Sequence, residues 1–144
     1  MFSKACEYGI RASIYIAEQS QLDKKVSLKD VAAAIESPSA YTSKILQLLV
    51  RNGIINSDKG PTGGFSIDKK DSDNIKLSTI VFAIDGDEIY KGCGLGLKQC
   101  NEKKPCPVHN RFKMIRGELR KMLETTTIKE LAVDYERGMT FLRR

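Results

Sequence analysis

The chain has 144 residues, 41% hydrophobic and 29% charged, which suits one domain, or one small domain with an appendage, and is enough to bury a core. No apolar run reaches membrane-spanning length, and the N-terminal MFSKACEYGIRAS is charged and helix-like where a signal peptide has an apolar centre, so the expected location is the cytoplasm and no membrane partner is expected. The net charge of +6 fits a polyanionic partner only modestly, because residues 1–70 carry 10 basic and 7 acidic side chains and the remaining residues add a further +3.

Residues 3–19 read as a helix. Cys6, Ile10, Ile14 and Ala17 recur at helical spacing on one apolar face, so Cys6 reads as a small core residue and not as a ligand. Ser27-Leu-Lys-Asp30 resembles a capping box with Asp in place of Glu, and Leu28, Val31, Ala32 and Ile35 give a short second helix its apolar stripe. Ser37-Pro38 suits an N-cap and first position for a third helix, which runs to about residue 52 and closes at Gly53. Ile45, Leu48 and Leu49 are expected to face inward, and Ser39, Thr42, Ser43 and Gln47 outward. Residues 54–57 read as a strand, 58–64 as a turn dense in glycine, and 65–67 as the return strand. Three helices followed by a hairpin form the outline of a winged helix-turn-helix.

Residues 77–84 predict a short apolar helix closed by Asp85-Gly86. A long helix follows over 107–124, carrying Val108, Phe112, Ile115, Leu119 and Met122 at spacings of 4, 3, 4 and 3. That is an a/d seam, which suits packing on the chain's own domain or on a second copy of itself, and a homodimer is expected. Thr127-Ile-Lys-Glu130 is a second capping box and starts a last helix. The predicted fold is mainly α: a winged helix-turn-helix DNA-binding domain over 1–70, then a cysteine loop and helical dimerisation region over 71–144.

Between Glu36 and Asp58 there is no carboxylate, whereas Lys44, Arg51, Ser39, Tyr41, Thr42, Ser43 and Gln47 all lie there. A helix entering the major groove needs such a face: Lys and Arg neutralise phosphates, and Gln, Ser and Thr reach base edges. Lys59, at the hairpin tip, has phosphate or the minor groove within reach. A solvated polar face on an ordinary helical domain is the bland alternative.

Three of the four cysteines lie in CGLGLKQCNEKKPCPVH, residues 93–109, with spacing Cys-x6-Cys-x5-Cys-x2-His. In a reducing cytoplasm such a cluster points to metal or redox chemistry before disulfides. Cys93, Cys100, Cys106 and His109 are the soft donors that zinc and iron–sulfur clusters use. Zinc is a real competitor, although its structural sites usually contain short Cys-x2–4-Cys pairs. Thiols acting as redox sensors without a metal are a third possibility. The chain has no phosphate-binding glycine motif and no acid/base pair, so it does not read as an enzyme. A zinc-stabilised module that binds protein partners is the alternative from another functional class.

EYGIRASIYIA (7–17), VSLKDVAAAIESPSAYTSKILQLLVRNGII (26–55), the wing KGPTGGF (59–65) and the cysteine loop together resemble the Rrf-two family of winged-helix transcription factors. The resemblance covers essentially the whole chain. It implies a homodimeric regulator, commonly a repressor, whose third helices enter successive major grooves while the wings meet flanking minor grooves. The partner is then double-stranded DNA with an inverted-repeat operator. Carried over by motif, the contacts are Ser39, Tyr41, Thr42, Lys44, Gln47 and Lys59. Many members have an acidic residue where this chain has Ser43, and Arg where it has Lys59, which lacks the planar fork of Arg. Cluster-bearing members place three cysteines in this loop, and one type adds a His three residues after the third. This implies an iron–sulfur cluster, [2Fe-2S] or [4Fe-4S], on Cys93, Cys100, Cys106 and His109. The first gap here is one residue longer than is typical. In nitric-oxide-sensing members an acidic residue of the partner's first helix serves as a ligand, and Glu7 stands at the matching place. DNA affinity would then follow the state of the cluster, by the difference in contacts between two conformations. Phe112, Ile115, Leu119 and Met122 are the candidate dimerisation residues.

Overall fold

The computed structural model describes residues 1–144. The elements in order are α1 (Lys4–Gln21), α2 (Leu28–Ala34), α3 (Ser39–Arg51), β1 (Asn56–Asp58), β2 (Gly64–Ser66), α4 (Lys69–Ser72), α5 (Leu77–Asp85), α6 (Glu88–Lys91), α7 (His109–Thr125) and α8 (Ile128–Glu136).

Helix α1 is the central post. Ser3 caps it by accepting from the Cys6 N–H. Cys6, Ala12, Ser13, Ile16 and Ala17 are buried, which is more of the circumference than one apolar stripe would cover. Helices α2, α3, α5 and α8 all pack against it. Both predicted capping boxes form: Ser27 with Asp30 opens α2, and Thr127 with Glu130 opens α8. Gly53 follows α3 in the left-handed conformation, φ +69°, as a C-terminal glycine should.

The hairpin is antiparallel, with Asn56 opposite Ser66, Ser57 opposite Phe65 and Asp58 opposite Gly64. Val26 adds a bridge to Phe65, so the segment leading into α2 supports the wing from the side. Gly64 sits at φ +139°, and a Cβ there would come within 2.9 Å of the Val26 carbonyl oxygen, so only glycine fits this join. The Ser20 hydroxyl accepts from the Ile67 N–H at 2.9 Å and ties the end of the wing back to α1.

One hydrophobic cluster runs through the molecule. It joins Cys6, Ile16, Val31, Leu46 and Leu49 to Ile80, Leu123, Ile128 and Leu142. The two regions expected at 1–70 and 71–144 therefore share a core, and residue 70 lies inside α4. Two details of α3 differ from expectation. Its N-cap position is Pro38, without a side-chain cap bond, and its buried face is Thr42, Ile45, Leu46 and Leu49, with Leu48 only half-buried. That face follows i, i+3, i+4, i+7, the spacing a helix needs to present one stripe to a core.

Candidate nucleic-acid interface and cysteine loop

Helices α2 and α3 pack together, and α3 turns one stripe toward solvent. Ser39, Tyr41, Lys44, Gln47 and Arg51 reach the surface on it, and Ser43 does so in part. No acidic residue stands in its first turn, and Arg51 occupies the last. Tyr41 is fixed in direction by the Tyr8 ring of α1, edge-on at a centroid distance of 5.6 Å. Gln47 donates weakly to the Ser43 hydroxyl at 3.4 Å.

Thr42 corrects the sequence reading. It is fully buried. Its hydroxyl donates to the Pro38 carbonyl at 2.8 Å and shares a hydrogen bond with the Ser37 hydroxyl. Thr42 is an internal brace for the start of α3, and no base edge can reach it.

Lys59 is exposed at the wing tip. Beside it, Asp58 is paired with Lys25 at 2.8 Å. No local pattern hints at that pair, because the two residues are 33 positions apart.

The cysteine loop spans the interval between α6 and α7 and lines an open cleft of about 890 Å³ with Arg116, Lys113 and Arg120 of α7. Helix α7 grips it with one face. The buried His109 places Nδ1 3.3 Å from Cys100 Sγ. Arg116 donates through Nη2 to the same sulfur at 3.3 Å and through Nη1 to the Gly92 carbonyl at 2.5 Å. Lys113 pairs with Glu102. A Cβ on Gly94 would run into the Phe112 ring, so the loop backbone lies directly on that ring.

Cys93 also lines the cleft. Its thiol is held below the ordinary range, first by the backbone N–H groups of Leu95 and Leu97, and then by the neighbouring Cys106 thiol and the Gly96 N–H. Charge on this sulfur is therefore favoured. The donors form two pairs, Cys93 with Cys106 and Cys100 with His109, and no three donors converge on one point. Their chemistry suits a soft metal centre, but a cluster would have to draw the pairs together. Glu7 is engaged with Lys4 at 3.2 Å. Cys6 is apart from all of this: it is buried, and burial with the nearby Asp85 carboxylate pushes its thiol up to about 12.

Over residues 2–134 the chain matches the family described as Rrf2, iron-dependent transcriptional regulator. The chain belongs to the Rrf2 family. An HTH-type transcriptional regulator of Aquifex aeolicus is 29% identical over 133 residues, 91% of this chain and 90% of that protein. The HTH-type transcriptional regulator IscR of Photorhabdus laumondii is 25% identical over 129 residues, covering 90% of this chain and 77% of that one. Among solved structures, CymR, the global cysteine regulator of B. subtilis, superposes with a TM-score of 0.74, covering 92% of this chain and 96% of that one. At 21% identity it speaks for the fold alone. As an Rrf2 protein the chain is a DNA-binding transcriptional regulator of winged-helix fold, and not an enzyme. No helix is long and apolar enough to cross a membrane.

The Rrf2 chain divides the expected seam of α7 between three tasks. Phe112 is half-buried under the loop, and Leu119 packs against the core cluster beside the fully buried Leu123. Only Ile115, 57% exposed, and Met122, 45% exposed, remain open, with Phe82 of α5 also 66% exposed. Phe112 and Leu119 thus make contacts within the chain, the packing on its own domain that the a/d spacing also allows. Arg116 escaped the sequence reading because nothing in its local pattern marks a basic residue seven positions beyond His109 as turned toward a sulfur.

Proposed function

We propose that the chain is a homodimeric repressor whose affinity for an inverted-repeat operator is set by the state of its cysteine loop. The DNA contacts are Ser39, Tyr41, Lys44 and Gln47 of α3 and Lys59 of the wing. Ile115 and Met122 of α7 form the dimer seam. Cys93, Cys100, Cys106 and His109 hold an iron–sulfur cluster. The observation that carries this reading is the grip of α7 on the loop through His109, Phe112, Lys113 and Arg116, while the same helix leaves Ile115 and Met122 exposed. The family's description as iron-dependent supports it further.

A bound cluster would supply a centre that oxidants, nitric oxide and iron supply can alter. The chain's own part is to present three thiolates and one imidazole, with Arg116 donating to Cys100 and backbone N–H groups to Cys93. A second reading has specific support. The lowered Cys93 thiol next to Cys106 suits a metal-free thiol sensor, and CymR, described as a cysteine regulator, has the same fold.

The test is an absorption spectrum of protein purified without oxygen, with iron, sulfide and zinc assayed on the same sample. Visible absorbance with iron and labile sulfide supports the cluster. One zinc per chain makes the loop structural. If operator affinity and its oxidant response survive replacement of Cys93, Cys100 and Cys106 by Ala, both sensing readings fail. Replacing Lys59 with Ala should flatten the salt dependence of binding by about 0.9 in log–log slope for each phosphate that the wing no longer neutralises.

A further inference from the structure

We infer that Arg116 is the positioning residue of the cysteine loop, holding Cys100 Sγ and the chain entering Cys93 in one fixed arrangement on α7. The inference rests on the reading that Cys100 is a working sulfur. One guanidinium spans two acceptors, the Gly92 carbonyl at 2.5 Å and Cys100 Sγ at 3.3 Å. These acceptors flank Cys93 in the chain, so a single side chain fixes the position of two of the three loop cysteines.

Three of the neighbouring cations are occupied elsewhere. Lys113 pairs with Glu102, Lys91 pairs with Asp87, and Arg120 lies over the Tyr90 ring at 4.5 Å. Arg116 has no carboxylate partner in any of the ion pairs. A half-buried guanidinium without a carboxylate partner aims its N–H groups at other acceptors, and the only side-chain acceptor it has is a sulfur. Arginine is required for geometric reasons. Its planar fork reaches two acceptors at once, whereas a lysine ammonium is a point donor on a flexible stem. The sulfur it holds also meets His109 Nδ1, so Cys100 is fixed from two separate turns of α7.

Donation to a ligand sulfur stabilises charge there, and outer partners of this kind typically govern retention of a metal centre by about 10- to 100-fold. The experiment compares wild type, Arg116→Lys and Arg116→Met. Three quantities are read: release of iron from the reconstituted protein to a chelator, the reduction potential of the centre, and tryptic cleavage of the loop at Lys98 and Lys103 in metal-free protein. The expected result for Arg116→Met is iron release faster by about 10-fold, a lowered potential and faster loop cleavage, with an unchanged thermal transition. Arg116→Lys should recover part of the potential and little of the cleavage protection. Wild-type potential and wild-type cleavage in Arg116→Met would overturn the inference. Should the wild type accept no cluster, the cluster reading fails. Tryptic cleavage and the alkylation rate of Cys100 then decide the role of Arg116: wild-type values overturn it, and increased values uphold it.

Discussion

Replacing Thr42 with Val separates a brace from a DNA contact. The side chain is fully buried, and Val keeps its shape, so no cavity term enters. What disappears is the hydroxyl, which donates to the Pro38 carbonyl at 2.8 Å and bonds the Ser37 hydroxyl. Neither partner is left bare. Pro38 still accepts from the Thr42 backbone N–H at 2.9 Å, and the half-buried Ser37 can turn to water. Each hydrogen bond then contributes near the middle of the usual range, about 1 kcal/mol, for a total of about 2 kcal/mol. In a chain of this size about 1 kcal/mol moves the melting temperature by roughly 2–4 °C, so a fall of about 4–8 °C is expected. The assay is a thermal melt by circular dichroism, with a salt titration of binding to duplex DNA alongside. The salt slope should not change, because no phosphate contact is removed. An unchanged melt combined with binding weakened about tenfold would overturn this account and place the hydroxyl on the DNA.

Three further outcomes are specific to this fold. Gly94→Ala puts a methyl group into the Phe112 ring, so tryptic cleavage at Lys98 and Lys103 should accelerate with helix content unchanged; a wild-type digestion pattern would show that the loop does not lie on Phe112. Changing Ile115 and Met122 together to Asp introduces charge where the seam is open, and sedimentation should report a monomer with the parent's helix content, since neither side chain is in the chain's own core. Alkylation of native protein at pH 8 should spare Cys6, whose thiol stays protonated because its pKa is pushed up to about 12, and should label it only after unfolding. Labelling of native Cys6 at the rate of the loop cysteines would contradict its burial.

The helix-turn-helix and the wing are legible in the sequence because local chemistry specifies both. Capping boxes at Ser27 and Thr127, the glycine after α3 and the glycine-dense turn each fix a boundary within a few residues of chain. Periodicity fails where a polar residue faces inward. Thr42 reads as solvent-facing by type, yet its hydroxyl satisfies itself on the preceding turn, a local bond that residue type alone does not reveal. Helices α4 and α6 are not legible, because four residues carry no period. The spacing along α7 marks its apolar residues. Which of them meet the loop, the core or solvent depends on where residues 92–102 return, and that is a tertiary fact.

The geometry of α7 also limits how the two proposed functions can be linked. His109, Phe112, Lys113 and Arg116 repeat at i, i+3, i+4 and i+7 and meet the loop, whereas Ile115 and Met122, seven residues apart, lie on a neighbouring stripe. A helix of 17 residues is stiff, and Leu119 and Leu123 fasten its second half to the core cluster. Release of the loop therefore cannot bend the seam locally; it can only let α7 shift or turn as one body with the core it is fastened to. A rotation that carries Ile115 away also carries Met122 away, because both lie on one line of the same rigid element. A cluster- or thiol-dependent change in this protein should accordingly appear as a changed angle between two intact DNA-binding units, with each winged helix unaltered inside. The operator property to vary is therefore the spacing between half-sites. A sensor built this way loses affinity for one spacing while keeping its affinity for a single half-site, whereas one that acts by disordering α3 loses both.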